Sequence, residues 1–281
     1  MAVQCGALTE NIALLALCDT TLEPMIEDHP PPEKSPEIDS YKLSFQHEQQ
    51  VTEAFAVLLA NTDDPNKVGA ICLEEQPDGL LIRTAVNSGD QKDRKASFER
   101  IARALESCTA GPSAQRDEET FFGEIIAACQ SRLLGRLRSS NAKPARKAGK
   151  QAILTKLCDG VRLLDGFPTR PPQLALVKNH ISLLEDAFTR LESLSYVDAH
   201  SEPGRQILKS ILLSIEQMLA STDIKTLLGL IPKNIPAWSG IASQSLARSL
   251  KSLAQYQDAA HYLLRRACRD PTFRHLRIAD V

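Results

Sequence analysis

The chain has 281 residues, of which 43% are hydrophobic and 24% charged, with a net charge of -2. These values exclude a collagen-like chain, a disordered chain and a disulfide-dense miniprotein, and they supply enough apolar material for a sizeable core. The near-neutral total gives no reason to expect the whole chain to bind nucleic acid tightly.

Residues 8–18 predict a short helix with Thr9 as its cap, within an N-terminal element over 1–23. Its apolar part, residues 12–18, is preceded by Glu10 and by no basic flank. It is far shorter than the roughly 20 residues that cross a bilayer, so neither a signal peptide nor a membrane span is expected. Residues 24–43 read as an acidic, proline-rich linker. Eight acidic residues and a single basic one, Lys34, fall between 10 and 39, and Pro30, Pro31, Pro32 and Pro36 favour an extended backbone. A docking motif for a proline-reading module is the alternative for this stretch.

Residues 44–110 predict a helix–β-hairpin–helix unit. Ser44 caps a helix to about Ala60, with Val51, Phe55, Leu58 and Leu59 on one face. Residues 68–73 and 80–86 read as two strands, joined by a five- or six-residue turn containing Pro77 and Asp78-Gly79. A helix over about 93–107 follows, ended by Gly111-Pro112.

Residues 111–281 predict a helical bundle, with helices near 117–138, 147–165, 172–197, 203–220 and 222–230 and a long one over 240–269 that breaks near Gln257. Leu276 and Ile278 add a weak strand-like alternation. The fold class expected is therefore mainly α with a small β-hairpin. In the 172–197 helix, Leu174, Val177, Ile181, Leu184, Phe188 and Leu191 recur at alternating spacings of three and four. This seam fits packing inside the bundle, with a dimer contact as the alternative.

Seven cysteines, an odd number with no two close in sequence, argue for small buried hydrophobes and a reducing compartment. The expected location is cytoplasmic or nuclear. The sequence offers no complete set of catalytic, cofactor-binding or metal-ligating residues. Lys147-Ala148-Gly149-Lys150 lacks both the first glycine and the hydroxyl of a phosphate loop. His47-Glu48 has no second histidine one turn on, and no nucleophile elbow is present. His261, Cys268 and His275 are spaced by seven but lack a nearby carboxylate pair. Glu74-Glu75 falls at a turn and Glu118-Glu119 at a helix start, where the dipole accounts for it.

The one concentrated charge runs through residues 125–158, which hold eight basic residues and no acidic one. Arg132, Arg136, Arg138, Lys143, Arg146, Lys147 and Lys150 are its candidate contacts for phosphate, RNA or an acidic partner, against the alternative of a solvated loop. Without interleaved aromatics the segment is not a stacking surface for single strands.

Val68–Leu73, the turn at Asp78-Gly79, Leu80–Val86 and Asn87-Ser88-Gly89, set after the 44–60 helix, resemble the opening of the cytidine-deaminase-like fold. With the tail Tyr262–Val281, the chain more nearly resembles a group of uncharacterised, mainly fungal proteins. These have such a helix–hairpin start, a long helical region, and then a deaminase-like zinc domain. The resemblance implies a zinc-binding His or Cys with a catalytic Glu on the helix after the hairpin. Residues 92–106 hold neither His nor Cys, and the paired-cysteine motif is missing, so no catalytic residue carries over. The expected function is a non-catalytic helical interaction or scaffold protein, a truncated or degenerate relative of that group. The alternatives are a deaminase-like half whose partner supplies the zinc chemistry, and a weak RNA or acidic-partner binder through 132–150.

Overall fold

The computed structural model of the chain describes residues 42–62, 68–87, 91–109, 114–142, 151–167, 171–232, 235, 238 and 240–280. The expected N-terminal helix, nearly all of the acidic linker, and Lys143, Arg146, Lys147 and Lys150 lie outside the described residues.

Helix α1 (Phe45–Leu59) starts where the Ser44 hydroxyl accepts the His47 amide, and it buries Val51, Ala54, Phe55, Leu58 and Leu59. Strands β1 (Gly69–Gln76) and β2 (Gly79–Val86) pair antiparallel, from Gly69 opposite Val86 to Gln76 opposite Gly79. The connecting turn is therefore only Pro77-Asp78, shorter than expected, because the strands continue through Glu74–Gln76. Two contacts hold that extension in place. Arg83 Nε donates to Glu74 across the ladder at 2.8 Å, and the Glu75 carboxylate accepts the amides of Lys42 and Leu43 at 2.7 and 3.0 Å.

A third strand, β3 (Leu276–Asp280), pairs parallel with β2, Leu80 opposite Leu276, giving the order β1-β2-β3. The weak alternation near the end of the sequence is thus a real strand. Gly79 permits the approach: a Cβ there would lie 2.0 Å from the His275 carbonyl oxygen, which accepts the Leu80 amide at 2.9 Å.

Eight further helices lie between β2 and β3 among the described residues: α2 (Gln91–Cys108), α3 (Ala114–Leu137), α4 (Ile153–Asp165), α5 (Leu174–Ser193), α6 (Tyr196–Ala199), α7 (Glu202–Ser221), α8 (Ile224–Gly229) and α9 (Gly240–Ala267). A 3-10 turn at Pro271–Arg274 leads into β3. The molecule is mainly α with a small sheet, as its periodicity predicts.

Helix α9 organises the packing. At 28 residues it spans about 42 Å, and it packs against α1, α2, α3, α4, α7 and α8. Apolar residues cover most of its circumference: Leu246, Leu250, Leu253, Ala254, Tyr256, Ala260 and Leu263 are all buried. The expected break at Gln257 does not occur. Gln257 is itself buried, and its amide meets the His261 ring at 2.8 Å.

Lys42–Val281 form one compact unit with a continuous core. The cause is long-range: β3 returns to the hairpin, and α9 packs on α1. The heptad seam is likewise consumed internally. Leu174, Val177, Ile181, Leu184, Phe188 and Leu191 are all buried within this chain, where α5 packs on α4 and α7, so they are not free to form a dimer seam.

Candidate functional site

The described arginines of the basic segment turn toward the protein. Arg132 Nη1 donates to the Thr62 carbonyl at 2.6 Å. Arg136 Nη1 donates to the Ser252 carbonyl on α9 at 2.8 Å, with its guanidinium 5.7 Å from the centre of the Tyr256 ring. Between them lies Cys129, fully buried, with its thiol against the Leu58 carbonyl at 3.6 Å. Burial pushes this thiol up to about 12, overriding the two neighbouring guanidinium groups that pull it down. Burial likewise pushes the Tyr256 phenol up to about 12. Arg138 ends α3 in the left-handed region at φ 56°, and the Ser139 amide reaches back to the Leu134 carbonyl at 3.0 Å. Its Nη1 donates to the Gln151 carbonyl at 3.0 Å. The cluster that stands out in sequence thus ties α3 to its neighbours.

The other candidate chemistry is also engaged. His261 Nε2 faces Glu118 at 2.8 Å, while Cys268 is exposed. Lys209 approaches Glu119 at 3.9 Å. Among the described residues no group of three or more His, Cys, Asp or Glu side chains is placed to hold a metal ion. Hydrogen bonding from Arg83 holds the Glu74 carboxyl below its usual range.

A groove of about 840 Å³ that the sequence did not single out runs between the end of α7, α8 and one face of α9. Leu219, Ala220, Ile224, Ala247 and Ala254 supply apolar lining. On α9 the stripe Ala247, Lys251, Ala254, Asp258 repeats at spacings of four and three. This stripe borders the leucine face, sharing Ala254 with it, and it is the signal that sequence reading passed over. The small alanines leave the space. Charges of both signs line it: Glu216 on α7, Asp223 and Lys225 at α8, and Arg248, Lys251 and Asp258 on α9, where they are separated along the helix. Arg248 and Lys251 stand at one end, and Asp258 lies two turns further on, about 10 Å from Lys251. Among the described residues neither Arg248 nor Lys251 has an ion-pair partner. Thr222, which also lines the groove, is buried, and its hydroxyl has no hydrogen-bond partner among the described residues. Asp223 beside it is engaged as the N-cap of α8, accepting the Thr226 amide.

Comparison with family models, with curated proteins and with solved structures finds no match. Among the described residues no helix is long and apolar enough to cross a membrane. The groove itself can take an elongated amphipathic ligand. Its lining offers apolar contact along its length, and its α9 wall is basic at one end and acidic at the other, which would favour one direction of the ligand.

Proposed function

We propose that this chain is a non-catalytic helical interaction protein that seats an amphipathic helix of a partner in the α7–α8–α9 groove. The observation that carries this reading is the groove's separation of charge along α9. A helix docking there would present an apolar stripe to Ala247 and Ala254, carboxylates toward Arg248 and Lys251, and a basic residue two turns away toward Asp258. A cytoplasmic or nuclear setting belongs to the same reading and is supported by the free thiols of Cys72, Cys108, Cys129, Cys158 and Cys268.

The test is fluorescence anisotropy with a labelled amphipathic peptide of about 18 residues that carries leucines on one face, glutamates at one end and lysines at the other. The chain is expected to bind it, and Arg248→Glu with Lys251→Glu is expected to weaken binding about tenfold or more. A peptide with its two charged ends exchanged is expected to bind worse. Equal binding of both peptides, or no effect of the charge reversal in a folded variant, would remove the reading.

A second reading keeps the deaminase-like ancestry, and the chain order α1, β1, β2, α2 supports it. Here the chain is a degenerate relative, or a half that acts with a partner supplying the zinc chemistry. One equivalent of zinc per chain by elemental analysis would favour this reading over the first. Binding of RNA or an acidic protein through 132–150 would have to rest on Lys143, Arg146, Lys147 and Lys150, since carbonyl groups hold Arg132, Arg136 and Arg138.

A further inference from the structure

A second basic cluster lies at the other end of α9, and it faces an opening. A pocket of about 200 Å³ is walled by His47 and Gln50 from the first turns of α1, and by Tyr262, Arg265, Arg266 and Arg269 at and just past the end of α9. We infer that this pocket binds a phosphoryl dianion, either free inorganic phosphate or the phosphate of a small monoester.

The charges match such a group. The Asp270 carboxylate faces Arg266 at 3.2 Å and offsets one of the three guanidinium groups. Among the described residues no carboxylate pairs with Arg265 or Arg269, and both are exposed. Two uncompensated positive charges therefore face the pocket, against the nearly two negative charges of a phosphoryl group at neutral pH. The donors open to a ligand are the exposed guanidinium groups of Arg265 and Arg269. Arg266 Nε and the Tyr262 hydroxyl have no hydrogen-bond partner among the described residues but are closed to solvent, so a ligand meets them only when these side chains turn toward it. Guanidinium groups and a phenol are the donors that a tetrahedral oxyanion accepts in several directions at once.

The macrodipole alone accounts for cations in the last turn of a helix. It does not account for their convergence with His47 and Gln50, which come from a different helix. At α1 the effect has the opposite sign: the pocket borders that helix's N-terminal turns, which favour an anion. The size limits the ligand to a group rather than a large molecule, because sites for drug-sized ligands are roughly 300–1,000 Å³.

The test is calorimetric titration of the full chain at low salt and about pH 7.5, where the phosphoryl group is mostly a dianion. The titrants are inorganic phosphate, glycerol 2-phosphate and acetate. Both phosphates are expected to bind, and to bind at least about tenfold more tightly than acetate. The tighter of the two distinguishes the free ion from the ester as the source. The exposed pair Arg265→Ala with Arg269→Ala is expected to weaken binding about 30-fold while the circular dichroism stays unchanged. Tyr262→Phe is expected to weaken binding about threefold. Arg138→Ala, on a different helix, is expected to leave affinity unchanged. Absence of phosphate binding up to about 20 mM, acetate binding as tight as phosphate, or wild-type affinity in the folded double variant would each overturn the assignment.

Discussion

Arg132 and Arg136 on α3, and Arg265, Arg266 and Arg269 at the end of α9, occupy comparable places near helix C-termini and meet different surroundings. The α3 pair points at backbone carbonyls and at the face of a buried tyrosine. The α9 group keeps two guanidinium groups in solvent around a pocket. Both placements suit the dipole of the helix that carries them. What separates them is the opposing surface. Across from α3 stand Thr62, just past the end of α1, and the middle of α9, where the Thr62 and Ser252 carbonyls accept from the two guanidinium groups. Across from the α9 cluster stands the start of another helix, which contributes His47 and Gln50 but no carboxylate to the pocket wall. Density of charge in sequence picked out the first cluster, and packing makes the second one available.

The largest expected effect comes from detaching the segment that follows the α9 cluster. Gly79→Ala would place a Cβ 2.0 Å from the His275 carbonyl oxygen, a backbone atom that cannot turn aside. Either β3 leaves the sheet or β2 shifts, at a cost of about 3 kcal/mol. Arg269 and Asp270 immediately precede the 3-10 turn that leads into β3, so phosphate binding should fall with stability, while the α3 cluster stays intact. Urea unfolding would read the loss. Unchanged stability would mean that β3 does not pair with β2.

A smaller effect tests the contrast directly. Arg136→Ala removes a charge-assisted hydrogen bond and a cation–aromatic contact, and should destabilise the protein by about 2 kcal/mol. Arg269→Ala, at an exposed position, should cost no more than about 0.5 kcal/mol. Similar losses in the two variants would erase the distinction between a structural and a binding cluster.

The helices were legible because they depend on local periodicity. The seam Leu174, Val177, Ile181, Leu184, Phe188 and Leu191 shows it most clearly, and each of these six is buried. The hairpin was legible from Pro77, Asp78 and Gly79. The parallel return of β3 was not, because the ladder, from Leu80 opposite Leu276 to Thr84 opposite Asp280, joins residues almost 200 positions apart, and its close approach depends on Gly79. The candidate site was read least well. Charge runs are visible in a sequence, but whether Arg136 meets Ser252 or water depends on how α3 crosses α9. The α7–α8–α9 groove depends on alanines, whose small size looks unremarkable in one dimension and leaves space in three.

Cys129 gives the most delicate measure of how dry the α3 cluster is. Two guanidinium groups beside a thiol would lower its pKa in a wet site, and here burial wins, raising it from an ordinary 9.0 to about 12. The sign of the linkage follows. Above pH 9 the unfolded chain gives up this proton while the folded chain keeps it, so the stability present below pH 9 is lost as pH rises toward 12. The slope from this one group is at most about 1.4 kcal/mol per pH unit. Tyr256, raised from 10.0 to about 12, adds a second decline above pH 10. Between pH 9 and 10 the wild type should therefore lose stability more steeply than Cys129→Ala, whatever fixed offset the lost side chain introduces. Alkylation gives an independent reading: in the folded protein at about pH 8, iodoacetamide should label the exposed Cys72 and Cys268 and spare Cys129. Parallel pH slopes for the two proteins, or early labelling of Cys129, would show that water reaches the α3 arginines and that the two clusters differ less than their geometry indicates.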